Sequence, residues 1–333
     1  MRLLVAGGAG FIGSAYVRRR LDAHPDDSVV VLDKLTYAGR RENLDGTGPD
    51  RCELIVGDIA DAATVAGAID GCDAVVNFAA ESHVDRSIDS PGEFIQTDVF
   101  GTFVLLEAAR AAGIRHVQVS TDEVYGSIDE GSFTETSPLE PSSPYSAAKA
   151  GGDLIVGAFH RTYGSDALTA RGSNNYGPRQ HPEKLIPLCI LNALAGDRLP
   201  VYGDGQQVRN WLFVEDFAAA IDLVLERGRA GETYNVGGPD ELANIDVVRR
   251  ILELTGRDES LIEYVTDRPG HDRRYSLASE KLRSELGWTP AVDFDEGLRR
   301  TVEWYRDNEP WWGPIRSGEY RSYYERQYGR ALG

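Results

Sequence analysis

LLVAGGAGFIG, residues 3–13, is the stretch on which the fold turns. A short apolar run, 3–6, meets Gly7, Gly10 and Gly13 at intervals of three. Glycines there let the chain turn sharply and bring its backbone amides close to an anion, and a helix starting just beyond would aim its positive end at the same charge. The pattern therefore predicts strand, turn and helix, with a dinucleotide pyrophosphate seated over the turn. Asp33 stands twenty residues after Gly13, at the end of a second apolar run, 29–32. A carboxylate at that strand end accepts hydrogen bonds from both ribose hydroxyls and repels a 2′-phosphate, so NAD is expected rather than NADP.

The same alternation continues outward. Runs 54–56, 74–78 and 117–120 read as further strands, almost continuous in apolar character, as strands covered on both faces must be. Between them, 12–23, 62–69, 92–112 and 145–163 read as helices. This is an α/β chain: a doubly wound parallel sheet of Rossmann type over residues 1–170. After residue 170 the texture changes to loops punctuated by Pro and Gly, with shorter helices at 185–194 and 214–225. Residues 171–333 are expected to form mainly a smaller α/β substrate lobe, with some strands and helices free to return to the first domain. The aromatic tail (Trp304, Tyr305, Trp311, Trp312, Tyr320, Tyr323, Tyr324, Tyr328) reads as packing.

Composition narrows the function classes. With 41% hydrophobic and 26% charged residues, the 333-residue chain can bury a large core. A formal charge of −18 argues against general affinity for nucleic acid, which depends on clustered cations. Cys52, Cys72 and Cys189 show neither metal-ligand nor disulfide spacing, and His83 and His271 have no companions at ligand spacing, so no metal is expected. No run approaches membrane-spanning length, and a cytoplasmic location is expected.

Two motifs point to chemistry. Tyr145 and Lys149, in YSAAK, are four apart and so share a helix face. A phenol is a weak base at neutral pH, but a neighbouring ammonium favours its phenolate, and Lys149 can also hold a nicotinamide ribose. STDEVYG (120–126) follows a strand directly, so Thr121, Asp122 and Glu123 emerge at the carboxyl edge of the sheet, where doubly wound folds bind ligands. Two adjacent carboxyls there call for a proton-transfer step beyond simple hydride exchange.

GGAGFIG, DKLTYAG (33–39), AAESHVDRSI (79–88), STDEVYG, SPYSAAK (143–149), SNNYGP (173–178), PEKLIP (182–187) and DRPGHD (267–272) together span nearly the whole chain. On these stretches the sequence resembles the dTDP-glucose 4,6-dehydratase family, in the extended short-chain dehydrogenase/reductase branch. The resemblance implies conversion of dTDP-glucose to dTDP-4-keto-6-deoxyglucose in deoxysugar biosynthesis. Tyr145 would take the C4 hydroxyl proton and Thr121 orient that oxygen. Glu123 would act as base at C5, and a protonated Asp122 would deliver a proton to the departing C6 hydroxyl. Relatives of the branch without dehydratase chemistry tend to carry small or hydroxyl residues where the two carboxyls stand.

The resemblance also places Phe11, Ile12, Lys34, Leu35, Thr36, Asp58, Ile59, Ala79, Ala80, Thr97 and Asn175 beside NAD, with Gly7, Gly10, Gly13, Asp33, Tyr145 and Lys149. Arg209 and Arg268 are implied for the diphosphate, whose two charges an acidic protein must meet with local cations. Ser82, Thr121, Asn174, Lys184, Leu185, Pro200, Val201, Tyr202, Asn244 and His271 are implied around hexose or nucleoside. A homodimer joined through helices 92–112 and 145–163 is likewise implied. Three positions depart from the family pattern: Asp98 replaces Asn, Gly172 replaces Cys, and Asn210 replaces Asp. A UDP-hexose 4-epimerase or UDP-glucuronate decarboxylase is the nearest alternative, since both begin with C4 oxidation. A non-catalytic NAD-binding regulator is the alternative of another class.

Overall fold

The computed structural model describes residues 1–317 and 324. Among the described residues twelve strands follow in chain order: β1 (Arg2–Ala6), β2 (Ser28–Asp33), β3 (Cys52–Val56), β4 (Ala74–Asn77), β5 (Arg115–Thr121), β6 (Ala167–Gly172), β7 (Asn174–Tyr176), β8 (Leu199–Tyr202), β9 (Val208–Phe213), β10 (Thr233–Val236), β11 (Asp240–Ala243) and β12 (Ile262–Val265). Seven of them form one parallel sheet in the order β10-β6-β5-β4-β1-β2-β3. Strand order reverses between β1 and β4, which opens a crevice at their carboxyl ends.

Alternation along each strand divides the core. Leu3, Val5, Val29 and Val31 pack against Tyr16 and Val17 of helix Phe11–Ala23 and Phe217, Ile221 and Val224 of helix Val214–Arg227. Leu4, Ala6, Val30 and Leu32 face Val65, Leu105 and Ala109 of helices Ala62–Ala68 and Thr102–Ala112. Each such fully buried Val or Leu contributes roughly 1.5–3 kcal/mol, so the sheet is the stable frame of the molecule. The buried Arg20 guanidinium ties the first pair of helices together, with Nη1 2.7 Å from Asp222 and 2.9 Å from Glu226.

A second core, built on Ile190, Trp211, Phe213, Val248, Leu298 and Tyr305, belongs to the smaller lobe with its sheets β11-β9-β7 and β12-β8. The boundary expected after residue 170 falls inside β6. Strand β10 and helices Val214–Arg227 and Glu280–Leu286 return to the first domain. Trp304, Tyr305, Trp311 and Trp312 pack on the lobe core, and Tyr324 packs on Leu188 and Ile315; Tyr320, Tyr323 and Tyr328 lie outside the described residues.

Two departures from the family pattern have packing reasons. A Cβ at Gly172 would stand 2.5 Å from the Phe217 ring, so glycine lets that ring close on β6. Asn210 donates through Nδ2 to the carbonyls of Gly238 (2.7 Å) and Asp240 (3.3 Å), which a carboxylate could not do.

Candidate active site

The crevice holds a cavity whose floor is the glycine turn. Gly7 has φ +72°, and a Cβ there would lie 2.4 Å from the Ala79 amide; at Gly13 it would lie 2.2 Å from the Gly7 carbonyl. Only glycine permits this approach of turn, helix and β4. Among the described residues no side chain caps helix Phe11–Ala23, whose first turn lines the cavity, so its amino end is left for an anion. Asp33 is fixed at the cavity edge: one oxygen accepts from the Ala9 amide (2.9 Å), the other from the Leu35 amide (2.8 Å). Burial raises its carboxyl above the ordinary value, and these two amides pull it back.

Of the residues expected beside a dinucleotide, Gly7, Gly10, Phe11, Ile12, Gly13, Asp33, Lys34, Thr36, Asp58, Ile59, Ala79, Ala80, Thr97, Tyr145 and Lys149 line this cavity. Lys34 is paired with Asp58 at 2.7 Å. Leu35 and Asn175 do not line it. The Leu35 side chain packs toward the sheet core, and Asn175 sits behind Gln180, which donates to its carbonyl at 2.9 Å. The turn, the uncapped helix and the edge carboxylate fit a dinucleotide.

At the far end β5 leads into the carboxyl pair. Thr121 ends the strand and caps a 3₁₀ turn, Asp122–Tyr125, that holds both carboxyls. Its Oγ1 donates to Asp122 Oδ1 at 3.1 Å and accepts from the Glu123 amide at 3.3 Å. Ser143 and Ser146 form a capping box that starts helix Pro144–Tyr163 immediately before Tyr145. Tyr145 is within hydrogen-bonding reach of Thr121, and Glu123, Asp98 and Asp122 all act on its phenol.

The two carboxyls have different surroundings. Burial, then the charge of Glu123, pushes the Asp122 carboxyl up to about 8, and its Oδ2 is buried without a partner among the described residues. Burial also raises Glu123, but Arg268, Arg209 and Lys184 oppose that rise. One carboxyl pushed into the neutral range therefore stands beside another whose charged form three cations favour. Burial first, then the surrounding carboxylates, lifts the Tyr145 phenol well above its usual value. Lys149 donates to the Val119 carbonyl at 2.9 Å, and the lowering expected from an adjacent ammonium is not what governs the phenol here.

The second half of the chain supplies the cations. Lys184 donates to the Ser82 carbonyl at 2.6 Å, and both residues line the cavity. The Arg209 guanidinium lies over the Tyr275 ring, 4.2 Å from its centre, and donates to the Asp272 carbonyl at 3.0 Å. Arg268 and Tyr202 line a separate opening and meet at Asp85, at 3.2 and 3.1 Å. His271 contacts Asp267 at 2.5 Å. Asn174 and Asn244 each bury an Oδ1 without a partner among the described residues. Leu185 and Val201 pack into the lobe core, and Pro200 is buried beside them in β8.

Sequence reading missed Glu81, Gln180, His181 and Glu183, which also line the cavity. The Glu183 carboxylate, fully buried, meets Arg86 at 3.2 Å and is hydrogen-bonded to Tyr37, while Arg86 lies 3.9 Å from the centre of the Tyr37 ring. These three residues come from three of the quoted motifs, so the signal was present, but only the fold brings them together. Behind the acid–base turn, Arg171 donates to Tyr125 Oη (2.7 Å) and to Asp153 (2.7 Å), and Tyr125 donates to Asn235 (2.8 Å).

Comparison with known proteins agrees with this geometry. Residues 4–301 match the family described as GDP-mannose 4,6 dehydratase. A dTDP-glucose 4,6-dehydratase of Mycobacterium tuberculosis is 51% identical over 98% of this chain and 99% of its own. The crystal structure of the Streptomyces venezuelae dTDP-glucose 4,6-dehydratase with NAD and dTDP bound is similar, with a TM-score of 0.92 at 56% identity over 95% of this chain and 100% of that one. A UDP-glucose 4-epimerase of Thermotoga maritima, solved with UDP-glucose, reaches 0.86 at 31% identity over 92% and 99%.

Proposed function

The chain belongs to the dTDP-glucose 4,6-dehydratase family, and from that membership and the pairing of Asp122 with Glu123 we infer that it converts dTDP-glucose to dTDP-4-keto-6-deoxyglucose. It is an NAD-dependent hydro-lyase. The fold alone does not decide this, because 4-epimerases share it. What carries the reading is the pair of neighbouring carboxyls on the turn beside Tyr145, one pushed up to about 8 and the other faced by three cations.

The chain's own groups divide the work as follows. NAD, when bound, takes a hydride from C4 and returns one to C6. Thr121 Oγ1 orients the C4 hydroxyl, and Tyr145 takes its proton as the phenolate, a form that the positive charges of a bound nicotinamide ring and of Lys149 would favour against the burial that raises the phenol. Glu123 removes the C5 proton, made acidic by the 4-ketone, while Asp122 protonates the C6 oxygen so that it leaves as water. Glu123 then returns a proton to C5. Arg209, Arg268 and Lys184 hold the diphosphate and also favour the ionised form of Glu123, which couples substrate binding to the state of the base.

Incubation with dTDP-glucose, UDP-glucose or GDP-mannose, without added NAD, tests the reading. A 4-keto-6-deoxy product, seen by its absorbance in alkali, is expected from dTDP-glucose. A 4-epimer with no such absorbance would overturn it.

Because the cofactor is regenerated each cycle, retention matters. Tyr37, Arg86 and Glu183 join three segments around the cavity, and Glu183→Gln removes the charge on which they converge. NAD should then dissociate at least about tenfold faster, equivalent to about 1.4 kcal/mol. Cofactor content after extended dialysis checks this, and unchanged retention would remove Glu183 from that role.

A cytoplasmic homodimer completes the proposal. Among the described residues, no helix is long and apolar enough to cross a membrane. Ile95, Phe100, Phe103, Leu154 and Tyr163 are exposed on the two helical stretches expected to pair, an apolar surface suited to a second copy. Phe103→Glu should convert the dimer to monomer in light scattering; a variant of unchanged mass would exclude this face.

A further inference from the structure

One carboxylate that the scheme above leaves out joins the two halves of the molecule across the cleft. Asp85 stands in the short helix Val84–Asp89, which follows β4 in the first domain. Its side chain is only 11% exposed, and both of its oxygens are engaged. Oδ1 accepts from Arg268 Nη1 at 3.2 Å, and Oδ2 accepts from Tyr202 Oη at 3.1 Å. Both partners belong to the smaller lobe: Tyr202 ends β8, in register with Val265 of β12, and Arg268 follows just beyond that strand. All three residues line one opening of about 570 Å³. The next residue, Arg86, meets Glu183 on the wall of the dinucleotide cavity, at 3.2 Å.

Asp85 does not satisfy the whole arginine. Arg268 Nε is buried and has no hydrogen-bond partner among the described residues. A guanidinium N–H shut away from water without an acceptor is costly, and a ligand oxygen would supply the missing bond. With Nη1 held by a carboxylate, the planar group cannot turn, and its remaining donors keep one direction. Burial works against the Arg268 charge, while Glu123 and then Asp85 restore it, so the cation is shared between the turn of the carboxyl pair and the helix of Asp85.

We propose that Asp85 is a positioning residue for nucleotide binding: reaching over from the first domain, it sets the Arg268 guanidinium and the Tyr202 phenol in their binding geometry before a nucleoside diphosphate arrives. The inference rests on Arg268 holding the diphosphate. Unheld, an arginine and a tyrosine would both be ordered at the moment of binding, which costs affinity and not turnover. The Asp85 charge itself acts in the opposite direction, since it repels the diphosphate. A test must therefore hold the charge constant and vary only the reach.

Asp85→Asn and Asp85→Ala are both uncharged, but only the amide can still bridge Arg268 and Tyr202. With NAD bound, dTDP should bind Asp85→Ala about tenfold more weakly than Asp85→Asn, and the KM for dTDP-glucose should follow. The kcat values of the two variants should agree within about twofold. A role confined to stability would instead lower kcat and cofactor content together and leave dTDP affinity alone. Equal Kd values for the two variants, tighter binding by Asp85→Ala, or a difference carried by kcat alone overturns the proposal.

Tyr202→Phe removes only the hydroxyl that Asp85 holds, and it keeps the proposal open to refutation where Asp85→Ala does not fold. There dTDP should bind about threefold more weakly, and an unchanged Kd overturns the proposal. Arg268→Ala reports on the reading beneath: dTDP affinity left intact by that change would overturn the diphosphate assignment itself.

Discussion

Glu123→Gln should lower turnover of dTDP-glucose by about 10²- to 10⁴-fold, the range a positioned general base supplies. Gln matches the shape of Glu and preserves the 3₁₀ turn, whose amide bond to Thr121 runs through the backbone. The substitution should therefore leave C4 oxidation possible and block removal of the C5 proton. A transient rise in reduced cofactor on mixing, without 4-keto-6-deoxy product, is the expected signature. The change also removes the charge that acts on Arg268 and Arg209 from within the pocket, so binding of the diphosphate should not weaken. Unimpaired turnover would remove Glu123 from the mechanism. Loss of both oxidation and binding would mark it as structural.

The second large effect concerns pH. Asp122 must carry a proton to release the C6 hydroxyl, and its carboxyl is pushed up to about 8. Turnover should fall about tenfold per unit above that value as the acid is lost. The stability consequence has the opposite sign from that of an ordinary ion-paired carboxylate. Because burial and Glu123 raise the folded value, the folded chain binds more protons than the unfolded chain from about pH 4 to 8, and stability declines across that window. Asp122→Asn should accordingly be dead or nearly so as an enzyme, yet melt higher than the unaltered protein at pH 8. A flat rate above pH 8 together with a lower melting point would contradict both halves.

The central sheet was legible in the sequence because its strands are buried on both faces and read as unbroken apolar runs. The turn bearing Asp122 and Glu123 was legible because it follows one of those runs directly. Other features were not. The return of β10 beside β6 left no trace, since TYNV differs in no periodic way from strands of the smaller lobe. The stretch IQTDVFG continues a helical pattern, and nothing in it marks the π-turn on which Asp98 sits. The protonation of Asp122 and Glu123 depends on Lys184, Arg209 and Arg268, remote in sequence, and on how thoroughly water is excluded. Glu183 was passed over because its meaning lies in Tyr37 and Arg86, supplied by separate loops.

The route of the backbone has a bearing on how such proteins diversify. After β6 the chain leaves for the smaller lobe, comes back for helix Val214–Arg227 and β10, leaves again through β11, and returns with helix Glu280–Leu286. The second half of the chain is stitched into the central sheet at several seams and is not a detachable cassette. A chimaera that exchanged everything after one crossover would replace an outer strand of the central sheet and two of the helices packed on its core. New sugar preferences are thus more accessible through loop substitutions that leave the stitching intact than through wholesale recombination of halves.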